Sequence, residues 1–101
     1  MKFGLTEKEI MLLESLFEKT LGIETVFIYG SRAKGNYKKT SDIDLSVHFA
    51  QNAEKNMAIL KSELEDLPII YSIDIVDEEE IETGKFKSEY DRTKLVFWKR
   101  L

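Results

Sequence analysis

The sequence predicts an α/β (α+β) fold, because segments with helical and with strand periodicity follow one another along the chain. Apolar residues recur at helical spacing near the start and again near the middle. Runs rich in β-branched and aromatic residues at 25–29, 43–49 and 69–76 are typical of strands. A chain of 101 residues has room for one modest core, so we expect a single domain over residues 1–101.

The composition excludes several classes of protein. Hydrophobic residues make up 43% and charged residues 34%, which is ordinary for a globular protein. A net charge of -4 argues against coating nucleic acid by bulk electrostatics, so no direct nucleic-acid partner is expected. No cysteine is present, which excludes disulfides and thiolate metal sites. Without a signal-peptide pattern or a membrane-length apolar run, we expect a cytoplasmic protein without membrane contact.

The first predicted helix begins at about Glu7. Thr6 and Glu9 have the spacing of a capping box, which satisfies two backbone amides at a helix start. Gly22 can provide the left-handed residue that ends the helix. Its apolar face should pack on the core and consists of Ile10, Leu13, Leu16, Phe17 and Leu21.

The loop between the first two predicted strands, residues 30–42, carries residues suited to chemistry. The preceding run 25–29 is apolar on both faces except at Thr25, as expected for a strand in the middle of a sheet. Gly30 lets the backbone approach a ligand closely, and the Ser31 hydroxyl with nearby amides can bind phosphate oxygens. Arg32 and Lys34 add positive charge nearby.

The second strand alternates between an apolar and a polar face. Its apolar residues are Ile43, Leu45, Val47 and Phe49, and its polar ones are Asp42, Asp44, Ser46 and His48. Asp42 and Asp44 should therefore project side by side, where two ionised carboxylates repel each other unless a cation lies between them. Such hard oxygen ligands suit magnesium. His48 is interpreted as a hydrogen-bonded or exposed residue, not as a ligand.

Asn52 is predicted to cap a second packing helix that Pro68 ends. Its apolar positions are Ala53, Met57, Leu60, Leu64 and Leu67. Residues 69–76 then predict a third strand, in which Asp74 is an acid among apolar neighbours. Because burying an unpaired carboxylate is costly, we expect Asp74 to share a cation with the two earlier aspartates.

The last quarter of the chain is less informative. The acidic run 78–82 is typical of the first turn of a helix, where negative charge is favourable. Residues 84–91 fit either a helix or an irregular crossing, and residues 95–98 predict a final short strand. Phe97 and Trp98 should face opposite ways along it, so one of them could be an exposed interface anchor.

The Gly-Ser turn, the Asp-x-Asp pair and the single later aspartate together indicate metal-assisted phosphoryl or nucleotidyl transfer. In this order they resemble the signature of the DNA polymerase β-like nucleotidyltransferase superfamily. The matching residues are Gly30-Ser31, Asp42-Ile43-Asp44 and Asp74. The longer motifs around these residues are similar to those of the minimal nucleotidyltransferase (MNT) group; they are Gly-Ser-Arg-Ala-Lys-Gly and later Ser-Asp-Ile-Asp-Leu. The resemblance covers nearly the whole chain.

The resemblance implies a polymerase β-like fold with a mixed central sheet flanked by helices. It also implies two magnesium ions held by Asp42, Asp44 and Asp74. Asp77 competes for the third position, but its odd spacing from Asp74 points it to the opposite face of a regular strand.

The resemblance further implies ATP as the substrate, with its phosphates at Gly30 and Ser31. An acceptor would attack the α-phosphate and pyrophosphate would leave. Asp74 would take the acceptor's proton or hold the metal that lowers the acceptor's pKa. Arg32 and Lys34 would neutralise charge on the pyrophosphate.

Members of the MNT group are typically encoded beside a helical protein with a HEPN domain. The resemblance therefore implies an antitoxin that forms a hetero-oligomer with a HEPN-domain toxin and transfers AMP to a tyrosine on it. Two alternatives stay open. One is a non-catalytic antitoxin that acts by binding, and the other is a subunit of a small-molecule, antibiotic-type nucleotidyltransferase. The intact carboxylate set Asp42, Asp44 and Asp74 favours the enzyme.

Overall fold

Four strands form one sheet and five helices flank it in the computed structural model of the chain, which describes residues 1–101. In chain order the elements are α1 (Glu7–Lys19), β1 (Ile23–Tyr29), α2 (Gly30–Lys34), β2 (Ile43–Phe49), α3 (Met57–Glu65), β3 (Ile73–Asp77), α4 (Glu78–Glu82), α5 (Lys87–Thr93) and β4 (Leu95–Lys99). No helix is long and apolar enough to cross a membrane.

The strand order is β3-β2-β1-β4, so β1 and β2 occupy the middle of the sheet. β1 pairs antiparallel with both β2 and β4, whereas β3 runs parallel to β2. The sheet is therefore mixed, and the predicted fold class is confirmed. The interior position of β1 agrees with its apolar residues on both faces.

The two faces of the sheet have different coverings. One face packs against α1 and α3 around a core that includes Leu13, Phe17, Leu60 and Leu64. The opposite face carries the polar residues of β2 and is covered in part by α4 and α5. Ser46 on this face has no exposed surface, so the polar side of β2 is not simply solvated. This second face holds the candidate site.

The predicted capping box at the start of α1 is present. The Thr6 side chain accepts from the Glu9 amide, and the Glu9 carboxylate accepts from the Thr6 amide. The helix ends earlier than predicted, at Lys19, and Leu21 is 85% exposed. Arg100 accounts for this end, because its guanidinium donates hydrogen bonds to carbonyl oxygens of the last turn, including that of Phe17.

The predicted start of the second packing helix was wrong. Asn56, not Asn52, caps α3, and its side-chain oxygen accepts from the Ile59 amide at 3.2 Å. Asn52 instead has a positive φ of 64°, a turn conformation that asparagine adopts more readily than most residues. The helix also ends at Glu65, before Pro68. Apolar residues keep helical spacing through the turns on either side of α3, so the periodicity did not indicate where the helix begins or ends.

β3 is shorter than the predicted strand over 69–76 and begins at Ile73. Its partner strand β2 begins at Ile43, which pairs with Ile73, so the preceding residues have no strand to pair with. The acidic run forms α4 as predicted, and the ambiguous segment contains α5. In β4, Phe97 is buried and Trp98 is partly buried against the core, so Trp98 is a poor candidate for an exposed anchor.

Candidate active site

The junction between β1 and α2 brings the backbone of Gly30 against the carboxylate of Asp44. Tyr29, the last residue of β1, pairs with Asp44 across the antiparallel ladder. Gly30 has a φ of +73°, and a Cβ atom there would lie 2.6 Å from Asp44 Oδ2. Any side chain at this position would therefore be strained and would displace the carboxylate. The group that lies against Gly30 is thus a carboxylate of the Asp-x-Asp pair, and the predicted approach of a ligand to Gly30 stays a prediction.

Asp44 and Asp74 lie side by side on one face of the sheet, and Asp42 is near enough for its charge to act on Asp44. Asp44 and Asp74 occupy directly paired positions on the parallel strands β2 and β3, and Asp42 lies two residues before Asp44. Asp44 is half-buried, whereas Asp42 and Asp74 are exposed. The expectation that Asp74 is a buried acid was therefore wrong. Asp74 lies beside Asp44 because the register of β2 and β3 pairs the two residues, and not because a buried carboxylate requires a partner.

Electrostatics at Asp44 reflect this crowding. Burial, the charge of Asp74 and the charge of Asp42 raise the pKa of Asp44, and the guanidinium of Arg32 opposes them. None of the three carboxylates takes part in an ion pair with a basic side chain. The cluster thus holds negative charge that the protein's own salt bridges do not compensate.

Asp77, the competitor for the third position, has other partners. Its side chain caps α4 by accepting from the Glu79 amide at 3.0 Å and also pairs with Lys55 at 3.0 Å. Asp74 pairs with Asp44, while Asp77 pairs with Val47, at odd spacing along the same strand. The geometry therefore favours Asp74 over Asp77 as the third carboxylate.

The donor set of the three aspartates fits a hard divalent cation. Carboxylate oxygens are the ligands that magnesium prefers, and a cation would relieve the repulsion around Asp44. As the side chains stand, no three histidine, cysteine, aspartate or glutamate residues are close enough to hold a metal ion together. Because Asp42 and Asp74 are exposed, their side chains have room to turn toward a common ion.

The basic residues of the Gly-Ser segment have different surroundings. Lys34 lies at the end of α2 with its side chain 39% exposed, and its Nζ is 2.8 Å from Glu89 Oε1 on α5. Arg32 is only 2% exposed. This burial argues against the direct pyrophosphate contact predicted for Arg32 and leaves Lys34 as the accessible cation of the segment. Ser31 is half-buried in the first turn of α2.

Arg32 joins separate segments of the chain behind the carboxylates. Its guanidinium donates to the Phe3 carbonyl oxygen at 2.9 Å and to the Ser41 carbonyl oxygen at 2.8 Å. The guanidinium carbon lies 4.4 Å from the ring centre of Tyr71 and 5.2 Å from that of Tyr37. Arg32 therefore holds the loop before Asp42 against the segment that leads into β3.

A polar network that the sequence did not reveal lies on the same face of the sheet. The Tyr90 hydroxyl contacts Ser46 Oγ at 2.5 Å and donates to Glu78 Oε2 at 2.6 Å. Lys94 donates to the same oxygen of Glu78, and His48 Nδ1 is 3.2 Å from the other. The one related signal in the sequence was the place of Ser46 on the polar face of β2. Glu78 was predicted only as an acid in the first turn of a helix, and it is 8% exposed.

Tyr29 connects the network to the aspartates. Its ring packs edge-on against Tyr90 at 5.4 Å and lies nearly parallel to Phe86 at 6.5 Å, both distances joining ring centres. Burial, with smaller contributions from the charges of Asp44 and Asp74, raises the pKa of Tyr29 to about 12. The phenol thus stays protonated at neutral pH beside the carboxylates.

We expect Glu78→Gln to make the protein less stable at neutral pH and to flatten its acid unfolding. Burial favours the protonated acid, but hydrogen bonds from Tyr90 and Lys94 and the charges of Lys94 and His48 outweigh it, so the pKa of Glu78 lies below its ordinary value of 4.5. An acid with a lowered pKa stabilises the fold above the unfolded-state pKa and loses that contribution as pH falls through the folded-state pKa.

Urea unfolding of the wild type should therefore show a loss of stability below about pH 4.5 that is smaller in Glu78→Gln. Glu80→Gln, an exposed glutamate of the same helix, is the control and should follow the wild type. Parallel pH dependence in the wild type and Glu78→Gln would contradict the stabilising role of this carboxylate.

The sequence profile of the polymerase β nucleotidyltransferase family matches residues 12–100 of the chain. The chain belongs to this family. The predicted superfamily is thereby confirmed, and the Gly-Ser turn and the aspartates occupy the positions described above in a nucleotidyltransferase fold. No curated protein matches the chain significantly.

Several solved structures are similar to this nucleotidyltransferase. One, from Sulfolobus solfataricus and described as a candidate nucleotidyltransferase, is 29% identical with a TM-score of 0.58, covering 91% of this chain and 78% of that one. A toxin-antitoxin structure with AMP-PNP is 18% identical with a TM-score of 0.65, covering 90% and 73% respectively. A mutant of the toxin-antitoxin MntA-HpeT is 17% identical with a TM-score of 0.61, covering 95% and 75%. At such identity the last two show similarity of fold alone.

Proposed function

We propose that this nucleotidyltransferase transfers AMP from ATP to a hydroxyl group of a protein acceptor. The observation that carries the proposal is the pairing of Asp44 with Asp74 beside the backbone of Gly30. In this arrangement the carboxylate oxygens lie beside the Gly30 turn. Because Gly30 has no side chain, a phosphate group could approach the backbone of this turn closely. Membership of the nucleotidyltransferase family supports the reaction class.

In the proposed reaction the acceptor oxygen forms a bond to the α-phosphorus of ATP. The bond from that phosphorus to the oxygen bridging to the β-phosphate breaks, so AMP stays on the acceptor and pyrophosphate leaves. Asp74 takes the acceptor's proton, because its exposed carboxylate has no basic partner and lies beside Asp44. The acceptor hydroxyl must therefore approach from the open side of β3.

Asp42, Asp44 and Asp74 would together hold magnesium, and the ion would neutralise phosphate charge when bound. Gly30 and Ser31 would contact the phosphates through backbone amides and the Ser31 hydroxyl. Lys34 would exchange its contact with Glu89 for one with the pyrophosphate, since its ammonium group is accessible. Arg32 would act as a positioning residue for the loop that carries Asp42.

The proposed acceptor is a toxin that this chain neutralises, with a tyrosine of a HEPN-domain protein as the modified residue. Support comes from two structurally similar proteins that are described as toxin-antitoxin assemblies, one of them with AMP-PNP. A phenol is a suitable acceptor because it can give its proton to a nearby carboxylate during attack. The chain would then act as an enzymatic antitoxin and form a hetero-oligomer with its target.

The test is the intact mass of the helical protein encoded beside this chain, after incubation with the chain, ATP and magnesium. We expect a gain of one or more adenylyl units, located on a tyrosine by fragmentation. The control is the double variant Asp42→Asn and Asp44→Asn, which should fold and give no gain.

An unchanged mass in a mixture that nonetheless contains a stable complex would overturn the enzymatic proposal and leave an antitoxin that acts by binding. Equal mass gain with the double variant would also overturn it, because the aspartates would then not be needed. A gain on serine or threonine would keep the transferase but exclude tyrosine as the acceptor.

A further inference from the structure

A cavity of about 270 Å³ lies between α2 and α5, directly beside the turn proposed to meet the phosphates. Its lining includes Tyr29, Gly30, Lys34, Phe86, Glu89 and Tyr90. Gly30 belongs both to this lining and to the contact with Asp44. The cavity therefore adjoins the carboxylate cluster at Gly30.

We propose that this cavity binds the nucleobase of the nucleoside triphosphate, with Phe86 as the stacking surface. This inference rests on the proposed function and names the part of the site that holds the base. Planar aromatic ligands stack favourably on aromatic side chains, whichever base they carry. Stacking on Phe86 would place the base on one side of Gly30 and the phosphates on the other.

The surroundings of Phe86 support this assignment. The ring packs nearly parallel to Tyr29, yet Phe86 is 51% exposed. Phe86 also lines the cavity, and small-molecule sites are lined mainly by apolar and aromatic side chains, so its exposed ring surface is available to a planar ligand. Most of the other exposed large apolar side chains are aliphatic, and Phe86 is the only phenylalanine among them.

The size of the cavity decides which part of the nucleotide it fits. Pockets that enclose a complete drug-sized ligand measure about 300–1,000 Å³. At about 270 Å³ the cavity is too small for a whole nucleoside triphosphate and suits a base with part of its ribose. The triphosphate would extend outward past Lys34, which lines the cavity and has a partly exposed side chain.

The back wall of the cavity is fixed in place. Tyr90 is 1% exposed, and its hydroxyl is held by Ser46 and Glu78. Lys94 lies 4.8 Å above the Tyr90 ring and also donates to Glu78. This wall therefore exists before a ligand arrives, which lowers the ordering cost of binding.

The test compares dissociation constants for ATP and for inorganic tripolyphosphate, both with magnesium, by calorimetry. Phe86→Ala should weaken ATP binding about 5- to 150-fold, the range for losing one base–aromatic stack, and leave tripolyphosphate binding unchanged. Phe86→Trp should restore ATP binding because it keeps an aromatic face. Met11→Ala is the matched control, since Met11 is 65% exposed on α1, away from the cavity.

Three results would overturn the inference, and they are distinguishable. If Phe86→Ala binds ATP as tightly as the wild type, the base lies elsewhere while the proposed function stands. If the variant loses affinity for ATP and tripolyphosphate equally, Phe86 supports the fold and not the base. If the wild type binds ATP no more tightly than a variant carrying Asp42→Asn and Asp44→Asn, the proposed function fails as well.

Discussion

Asp44→Asn is expected to abolish nucleotidyl transfer and, without divalent ions, to raise the melting temperature of the protein. Loss of one preorganised electrostatic group typically costs about 10²–10³ in rate, and we expect at least the upper end here because Asp44 lies at the centre of the cluster. Burial raises the pKa of Asp44, and repulsion of its ionised carboxylate by Asp74 and Asp42 raises it further. Asparagine keeps the shape of the side chain and removes this repulsion.

The sign of the stability change follows from that shift. An acid whose pKa is raised on folding destabilises the native state at pH values where it is ionised, so removing its charge stabilises the protein near pH 7. Magnesium should raise the melting temperature of the wild type and have little effect on Asp44→Asn, because binding to the native state alone stabilises it.

Calorimetry with and without magnesium, beside a radiolabelled ATP transfer assay, checks both parts of this prediction. Asp66→Asn, which changes an exposed aspartate after α3, should behave as the wild type in each measurement. A variant at Asp44 that keeps more than about a tenth of the rate would contradict the catalytic assignment. Equal stabilisation of wild type and variant by magnesium would contradict Asp44 as a ligand.

Arg32→Ala is expected to cause a larger loss of stability than Glu78→Gln or a substitution of any exposed residue. The guanidinium makes hydrogen bonds to the carbonyl oxygens of Phe3 and Ser41 and lies between the rings of Tyr37 and Tyr71. Alanine would leave these carbonyls without their donor and open a cavity between the rings. We expect a loss of about 3 kcal/mol, or about 10–20 °C in melting temperature.

Two further variants test whether the shape of the guanidinium matters. Arg32→Lys keeps the charge, but a lysine ammonium is a point charge without the planar fork, so we expect partial recovery only. Arg92→Ala is the matched control, because the Arg92 side chain is 72% exposed and should change stability by less than about 0.5 kcal/mol. Thermal melts of all three variants provide the comparison. An Arg32→Ala protein that melts within about 2 °C of the wild type would contradict this role.

Local patterns predicted the elements whose signals lie within a few residues. The capping box at Thr6 and Glu9 and the alternation of β2 are examples, and both are present. The predicted start of α3 was wrong because the apolar periodicity continues through the turn at Asn52. The predicted start of β3 was wrong because the strand-like residues before Ile73 have no neighbouring strand to pair with. Hydrophobic periodicity indicates which face of a helix or strand a residue occupies, but it does not indicate where the helix or the strand pairing begins.

The sequence predicted which residues form the candidate site, but it did not predict their burial or their contacts. Gly30, Asp42, Asp44 and Asp74 were singled out from residue type and spacing. The expected burial of Asp74 was wrong, because exposure at a sheet edge depends on whether another element covers it. Nothing near Tyr90 in the sequence indicated a contact with the site, since its partner Ser46 comes from a distant strand.

The sequence by itself determined the fold class, the start of α1, the alternation of β2 and the residues of the nucleotidyltransferase signature. Only the tertiary structure decided that Asp74 pairs with Asp44, that Arg32 is buried, and that Glu78 belongs to a buried network with Tyr90. The physical reason is that propensity and periodicity act between close neighbours along the chain. Burial, charge repulsion and pKa instead depend on groups that only folding brings together.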